Sequence, residues 1–150
     1  MPQSLAQLYT HLIFSTKNRA PVLNPEIRDA LQAYLGGALR NLQSPCVTAR
    51  CVADHVHVLY LQSKNLAPFK VVEEIKRAGS KWVKTQGPAH RGFYWQRGYG
   101  MFSVSASKVA AVKRYIHDQE KHHRKRTFQE EFREFLREYG VEFDERYVWD

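Results

Sequence analysis

The sequence is poor in cysteine, in acidic residues and in long apolar runs, and each shortage excludes something. Its 150 residues contain two cysteines, Cys46 and Cys51, with no Cys-x-x-Cys spacing, so a disulfide framework is set aside and both read as reduced core residues. No apolar run approaches the roughly 18 residues that a membrane span requires, and Met1 to Gln7 lacks a signal-like pattern. A cytoplasmic protein with no membrane partner is therefore expected. Internal repeats, low-complexity tracts and long linkers are also missing, which leaves one domain spanning residues 1–150. That length can bury a real core without cross-links.

Acids number 15 against 23 Lys and Arg, a formal charge of +8, and the imbalance is local. Lys70 to Arg97 holds seven basic residues against Glu73 and Glu74, and Lys108 to Arg126 holds seven against Asp118 and Glu120. Phe128 to Asp150 reverses the sign, with eight acids against Arg133, Arg137 and Arg146. A basic surface concentrates polyanions and releases their counterions, so nucleic acid is the leading partner class, with a solvated basic face as the plain alternative.

Hydrophobic periodicity gives the order of elements. Leu8 to Thr16 is rich in aromatic and β-branched residues and reads as a strand. Asn24 and Pro25 open a helix to about Leu42, with an apolar stripe at Ile27, Leu31, Leu35 and Leu39. Cys46 to Ala53 and His55 to Gln62 read as two strands too closely joined for anything but antiparallel pairing or a bent ribbon. A second helix runs from about Pro68 to Gln86 and stops at Gly87-Pro88. Phe93 to Val104 reads as an aromatic strand interrupted by glycines, where a bulge or a close backbone approach is expected. Ser105 or Ser107 caps a helix to about His123, and a last helix spans Phe128 to Tyr139, closed by Gly140. The pattern is β-α-β-β-α-β, an α+β ferredoxin-like (RRM-like) sandwich in which an antiparallel sheet carries two helices on one face, with further helices at the C-terminal end.

Within this frame, Asp54 to Tyr60 concentrates the chemistry. Side chains alternate along a strand, so His55 and His57 share one face while Val56 and Val58 turn to the other. Two imidazoles on one rigid element need one further donor to hold a divalent ion, although two half-exposed histidines would look the same in sequence. On the helix ending near His123, Tyr115 and Gln119 lie four residues apart on one face, with His122 one turn further along. Either of His122 and His123 could supply a further ligand or contact DNA, but the pair reads first as residues of the basic face.

These residues carry a family resemblance. His55-Val56-His57 resembles the His-hydrophobic-His motif of the HUH endonucleases, and Tyr115-Ile-His-Asp-Gln119 resembles the Tyr-x-x-x-Gln helix of their single-tyrosine branch, the IS200/IS605-type (Y1) transposases. The likeness extends over His11-Leu-Ile-Phe-Ser-Thr-Lys17, Trp95 to Ser105 and Gln119 to His123. It implies that Tyr115 attacks a phosphodiester of single-stranded DNA, leaving a 5′-phosphotyrosine and a free 3′-OH, and that His55, His57 and Gln119 bind Mg²⁺ or Mn²⁺. It further implies recognition of imperfect hairpins at insertion-sequence ends and a homodimer joined through sheet edges, which would place the protein on the nucleoid. Lys17, Arg19, Arg77, Lys81, Arg97, Arg114, Lys121 and His122 are the expected DNA contacts, drawn from a pool that also includes Lys76, Arg91, Lys113 and Arg124.

Three other readings compete. A domesticated REP-associated tyrosine transposase would use the same residues on repeat hairpins. A non-catalytic module binding single-stranded nucleic acid would use exposed aromatics on the sheet and leave the His pair incidental. A zinc hydrolase fits less well, because an amide ligand with no carboxylate base nearby departs from the usual zinc sets.

Overall fold

The computed structural model describes residues 2–123 and 125–150, so Arg124, one of the pooled phosphate contacts, lies outside the described residues. Its elements follow the order β1 (Tyr9–Ser15), α1 (Pro25–Asn41), β2 (Cys46–Cys51), β3 (His55–Leu61), α2 (Pro68–Lys84), β4 (Gly100–Ser103), α3 (Val109–His117), α4 (Gln119–His122) and α5 (Phe128–Glu138). The four strands form one antiparallel sheet in the order β2-β3-β1-β4, which is the ferredoxin-like arrangement the element pattern predicts.

Strand alternation divides the core in two. Leu12 and Phe14 of β1 with Val56, Val58 and Tyr60 of β3 face α1 and α2, packing against Leu31, Leu35, Leu39, Val72 and Ile75. The opposite residues, His11, Ile13, His55, His57 and Leu59, face α3, α4 and α5. Both sheet faces are therefore covered, and the two histidines of β3 are fully buried rather than half-exposed. Helix α5 supplies the second cover: Thr127 caps it by accepting from the Glu130 amide, Gly140 ends it in the left-handed region (φ 66°), and Phe128, Phe132 and Leu136 press onto Ile13 and Phe102.

Two expected elements are shorter than the sequence suggests. The strand predicted from Phe93 reduces to Gly100–Ser103, with Trp95 making only an isolated bridge to Thr16. The reason lies in distant segments: the Gln96 side chain accepts from the Ser15 amide (2.7 Å), while Lys76 Nζ reaches from α2 to the carbonyls of Gln96 (2.7 Å), Arg97 (3.2 Å) and Gly98 (3.2 Å). Those carbonyls bend toward a cation instead of pairing with β1. The close backbone approach expected among these glycines occurs at Gly100, where a Cβ would stand 2.4 Å from the Phe132 ring. Similarly, the helix expected to run unbroken to His123 is divided at Asp118 (φ −94°, ψ 19°) into α3 and α4. That break turns Gln119 inward, where only 2% of it is exposed.

Candidate functional site

The site forms where β3 meets the three C-terminal helices. His55 and His57 project from β3, Tyr115 from α3, Gln119 from α4, and Glu131 from α5, with His123 following α4. The four residues singled out by sequence thus come together, the Tyr115 ring lying 6.0 Å from that of His57 and Gln119 Oε1 lying 3.4 Å from His55 Nε2. Tyr115 stands beside the histidines of its own chain.

At the centre is a carboxylate that the sequence reading counted only as part of an acidic tail. Glu131 Oε1 lies 2.9 Å from His57 Nε2, 3.2 Å from His123 Nε2 and 3.5 Å from His55 Nε2. Its other oxygen accepts a short hydrogen bond from the Tyr115 hydroxyl and lies 3.6 Å from Arg126. The objection that no carboxylate base stands near the histidines is therefore overturned. His123 likewise faces inward, not toward a basic surface, with Nε2 3.0 Å from Gln119 Oε1. One signal for Glu131 was present: Phe128, Glu131, Phe132, Phe135 and Leu136 occupy the i, i+3, i+4, i+7, i+8 stripe of α5, and an acid on such a stripe must be buried. No comparable signal marked Arg126, whose Nη2 donates to the Tyr115 hydroxyl at 2.5 Å.

The outer ring nitrogens are held as firmly as the inner ones. His55 Nδ1 donates to the Asp54 carboxylate at 2.7 Å, and His123 Nδ1 donates to the carbonyl of Arg126 at 3.0 Å. His57 Nδ1 meets His11 Nε2 at 2.8 Å. Burial pushes the His57 imidazole down to about 4 against the pull of Glu131, and burial lowers His11 as well. For His55 burial is outweighed by the bonds to Asp54 and Glu131, and its pKa is raised. Burial alone would raise the Glu131 carboxyl, but His57, His123 and His55 together hold it ionised, well below the usual carboxylate range. The Tyr115 phenol is pushed upward by burial and by the Glu131 charge, so it is protonated at neutral pH. The donor set, imidazoles backed by a carboxylate and a carbonyl together with inward oxygens, suits a divalent ion.

The expected DNA contacts are scattered. His122 stacks on the Tyr115 ring (4.5 Å, 25°), and Lys121 lines a groove of about 550 Å³ with Arg28, Arg50 and Gln119, which leads to the site. Arg114 is exposed on α3. Lys17 and Arg19 lie at the exit of β1, near Tyr94 and Trp149, and Lys17 and Arg97 line one further groove with them. Arg77 pairs with Glu73 and Glu74, and with Lys81 it stands on α2, which covers the sheet face opposite the histidines. Lys76 is committed to its three carbonyls and is not free for phosphate.

The family model described as "Transposase IS200 like" matches residues 4–119. The ISDra2 transposase TnpA of Deinococcus radiodurans is 29% identical over 118 residues, covering 75% of this chain and 84% of that protein. A crystal structure of a protein assigned as a transposase, from Deinococcus radiodurans R1, aligns with TM-score 0.62 and 25% identity over 79% of this chain and 98% of that one. The REP-associated tyrosine transposase bound to a REP hairpin has the same fold (TM-score 0.57, 12% identity, 82% of this chain and 74% of that one). His55, His57, Tyr115 and Gln119 fall inside the matched stretch, whereas His123, Arg126 and Glu131 lie beyond it. With its paired strand histidines and helix tyrosine inside the matched region, the chain belongs to the IS200-like transposase family.

Proposed function

We propose that this transposase cuts and rejoins single-stranded DNA through Tyr115, at hairpins near the ends of its element, with His55, His57 and Gln119 holding a divalent ion, Mg²⁺ or Mn²⁺. The observation that carries the reading is the Tyr115 hydroxyl, hydrogen-bonded to a buried carboxylate within the same cluster as two strand histidines. A phenol has an ordinary pKa near 10 and attacks a phosphodiester slowly unless its proton is removed as the bond forms. Glu131 Oε2 stands where that proton would go, and Arg126 stands where a phosphate charge beside the Tyr115 oxygen would be met.

In the step proposed, the bond from Tyr115 Oη to phosphorus forms and the bond from phosphorus to the 3′-oxygen breaks. The phenolic proton passes by way of Glu131 to solvent, and solvent returns one proton to the departing 3′-oxygen, which leaves as the free hydroxyl, so Glu131 is ionised before and after the step. A second 3′-OH reverses the exchange and restores Tyr115, so joining needs no nucleotide cofactor. The ion's contribution, when bound, is to polarise a non-bridging phosphate oxygen.

Single-stranded DNA is supported by the position of the Tyr115 hydroxyl beneath α5 and by the adjoining groove, whose Arg28, Arg50 and Lys121 can follow one phosphate backbone. The hairpin is proposed from the family and from the REP-hairpin complex of its structural neighbour. A homodimer is proposed on the same basis, with β4, a sheet edge of four residues, as a pairing surface. No described helix is long and apolar enough to cross a membrane. The competing reading as a non-catalytic module loses its platform, because helices cover both sheet faces.

The test is covalent capture. Purified protein is mixed with an oligonucleotide carrying the subterminal hairpin from the DNA flanking its gene, with Mn²⁺, and resolved in denaturing gels. Wild type should yield a protein–DNA adduct, and Tyr115→Phe should yield none while binding the oligonucleotide within about threefold of wild type. An adduct that persists in Tyr115→Phe removes the assignment of the nucleophile.

A further inference from the structure

Resting on the reading that an ion binds at His55 and His57, we infer that the ion site is a five-donor cage completed by His123 and Glu131, and that it selects a first-row transition ion such as Mn²⁺ over Mg²⁺. Neither residue lies in the stretch shared with the family. The argument starts from where the ring protons are. A carbonyl oxygen only accepts, so His123 Nδ1, 3.0 Å from the Arg126 carbonyl, carries its proton there. The Asp54 carboxylate fixes the His55 proton on Nδ1 in the same way. Both Nε2 atoms therefore turn lone pairs inward. Gln119 Nε2 points to the Tyr115 carbonyl (3.4 Å), which turns its Oε1 inward too.

In the neutral rings those lone pairs meet oxygens, not donors. His55 Nε2 faces Glu131 Oε1 at 3.5 Å and Gln119 Oε1 at 3.4 Å, and His123 Nε2 faces the same two atoms at 3.2 and 3.0 Å. His57 Nε2 adds a fifth approach, 2.9 Å from Glu131 Oε1. Acceptors packed this closely in a buried space repel one another unless a cation stands among them, and one extra proton on one ring would relieve only part of the set. The spacing also fits an ion. Donors bonded at about 2.1 Å are separated by roughly 3.0 Å at right angles and roughly 3.4 Å at the tetrahedral angle, within about 0.1 Å of the observed range of 2.9–3.5 Å. The four His and Glu ligand atoms all lie within 4.8 Å of one another.

The donor set then decides the ion. Three imidazole nitrogens favour the later divalent metals, which form stronger bonds to nitrogen, whereas Mg²⁺ prefers oxygen and retains water. One carboxylate and one amide oxygen keep Mn²⁺ well served. Asp54, the Arg126 carbonyl and His11 support the rings from behind, as such sites require.

Calorimetric titration of the full-length protein with MnCl₂ and with MgCl₂ tests this, alongside Glu131→Gln, His123→Ala and His57→Ala. Expected are one Mn²⁺ per chain, Mn²⁺ bound at least tenfold more tightly than Mg²⁺, and at least tenfold weaker Mn²⁺ binding in each variant. Should Glu131→Gln and His123→Ala bind like wild type while His57→Ala does not, the five-donor cage is wrong and the smaller set stands. If His57→Ala also binds like wild type, the metal reading of the proposed function falls with it. Pulsed electron paramagnetic resonance of the Mn²⁺-loaded wild type is independent of variant folding: three coupled imidazole nitrogens are expected, and two would overturn the proposal.

Discussion

Gly100 in β4 supports the site from a distance, and Gly100→Ala measures how firmly. Gly100 pairs with Ile13 of β1, and a Cβ built on it would lie 2.4 Å from Cε2 and 2.9 Å from Cζ of Phe132, with Phe102 Cε2 at 3.0 Å. Carbon atoms rest at about 3.5–4.0 Å, so the Phe132 ring has to retreat by about 1 Å. It has little room, being stacked on Phe128 (5.4 Å) and set against Trp149 (5.9 Å). The displacement therefore passes to α5, whose preceding residue is Glu131. Overpacking of this kind costs about 1–3 kcal/mol, and replacing a strand glycine returns about 0.5–1 kcal/mol. The net loss, on the order of 1–2 kcal/mol, corresponds to a Tm lower by roughly 2–8 °C for a chain of this size. Because Glu131 moves with the helix, Mn²⁺ affinity should fall about tenfold in the same variant. Gly37→Ala in α1, where an added methyl meets nothing within 4 Å, is the matched control and should leave Tm unchanged or raise it. Differential scanning calorimetry and Mn²⁺ titration give both readouts. A Gly100→Ala protein that melts with wild type and binds Mn²⁺ equally well would refute the claim that α5 is seated by this contact.

Acid should unfold the metal-free protein through its buried imidazoles. In EDTA, unfolded histidines take up protons below about pH 6.5 while His57 resists until about 4 and His11 is lowered as well, so the unfolded chain binds more protons and stability falls on acidification, by on the order of 3 kcal/mol from His57 alone. His55, raised instead, adds stability that is present below about pH 6.5 and lost as pH rises through its folded value, so Tm against pH should peak near 6.5; a profile that climbs toward pH 4 would contradict the assignment. Lys76→Ala removes the donor to three carbonyls and should cost on the order of 2–4 kcal/mol in thermal unfolding without changing the salt dependence of DNA binding. Lys17→Ala should do the reverse, lowering the slope of log affinity against log salt by about 1 with Tm unchanged; a shallower slope for Lys76→Ala would show that it contacts phosphate after all.

Which of these features could be read in the sequence depended on whether their cause was local. The alternation that sends Val56 and Val58 one way and His55 and His57 the other is a property of one strand, and it placed the pair correctly. The helices fared equally well wherever a stripe and a Pro or Gly boundary were present, as at Pro25, Pro68 and Gly140. Where the cause came from elsewhere in the chain, the reading failed. Nothing between Phe93 and Tyr99 shows that Lys76, twenty residues upstream of Gln96, draws its carbonyls out of the ladder. Nor does Ile116-His-Asp-Gln119 contain a glycine or proline to mark the break at Asp118.

Glu131 lies between these cases. Its neighbours on the stripe of α5 required it to be buried, and burying an ionised carboxylate is costly without compensating charge or hydrogen bonds, so the sequence demanded partners without naming them. Counting it with the exposed acids of Phe128 to Asp150 averaged that demand away. His11 carries the same kind of signal, a titratable ring on the strand face shared by Ile13 and buried to 1% exposure. The chain holds seven histidines, and four of them, His11, His55, His57 and His123, meet beside Glu131 although they lie as far as 112 positions apart. A polar residue set on an apolar stripe marks a place where two distant segments must satisfy each other. Here both marked segments, β1 and α5, converge on the strand whose histidines the sequence had already singled out.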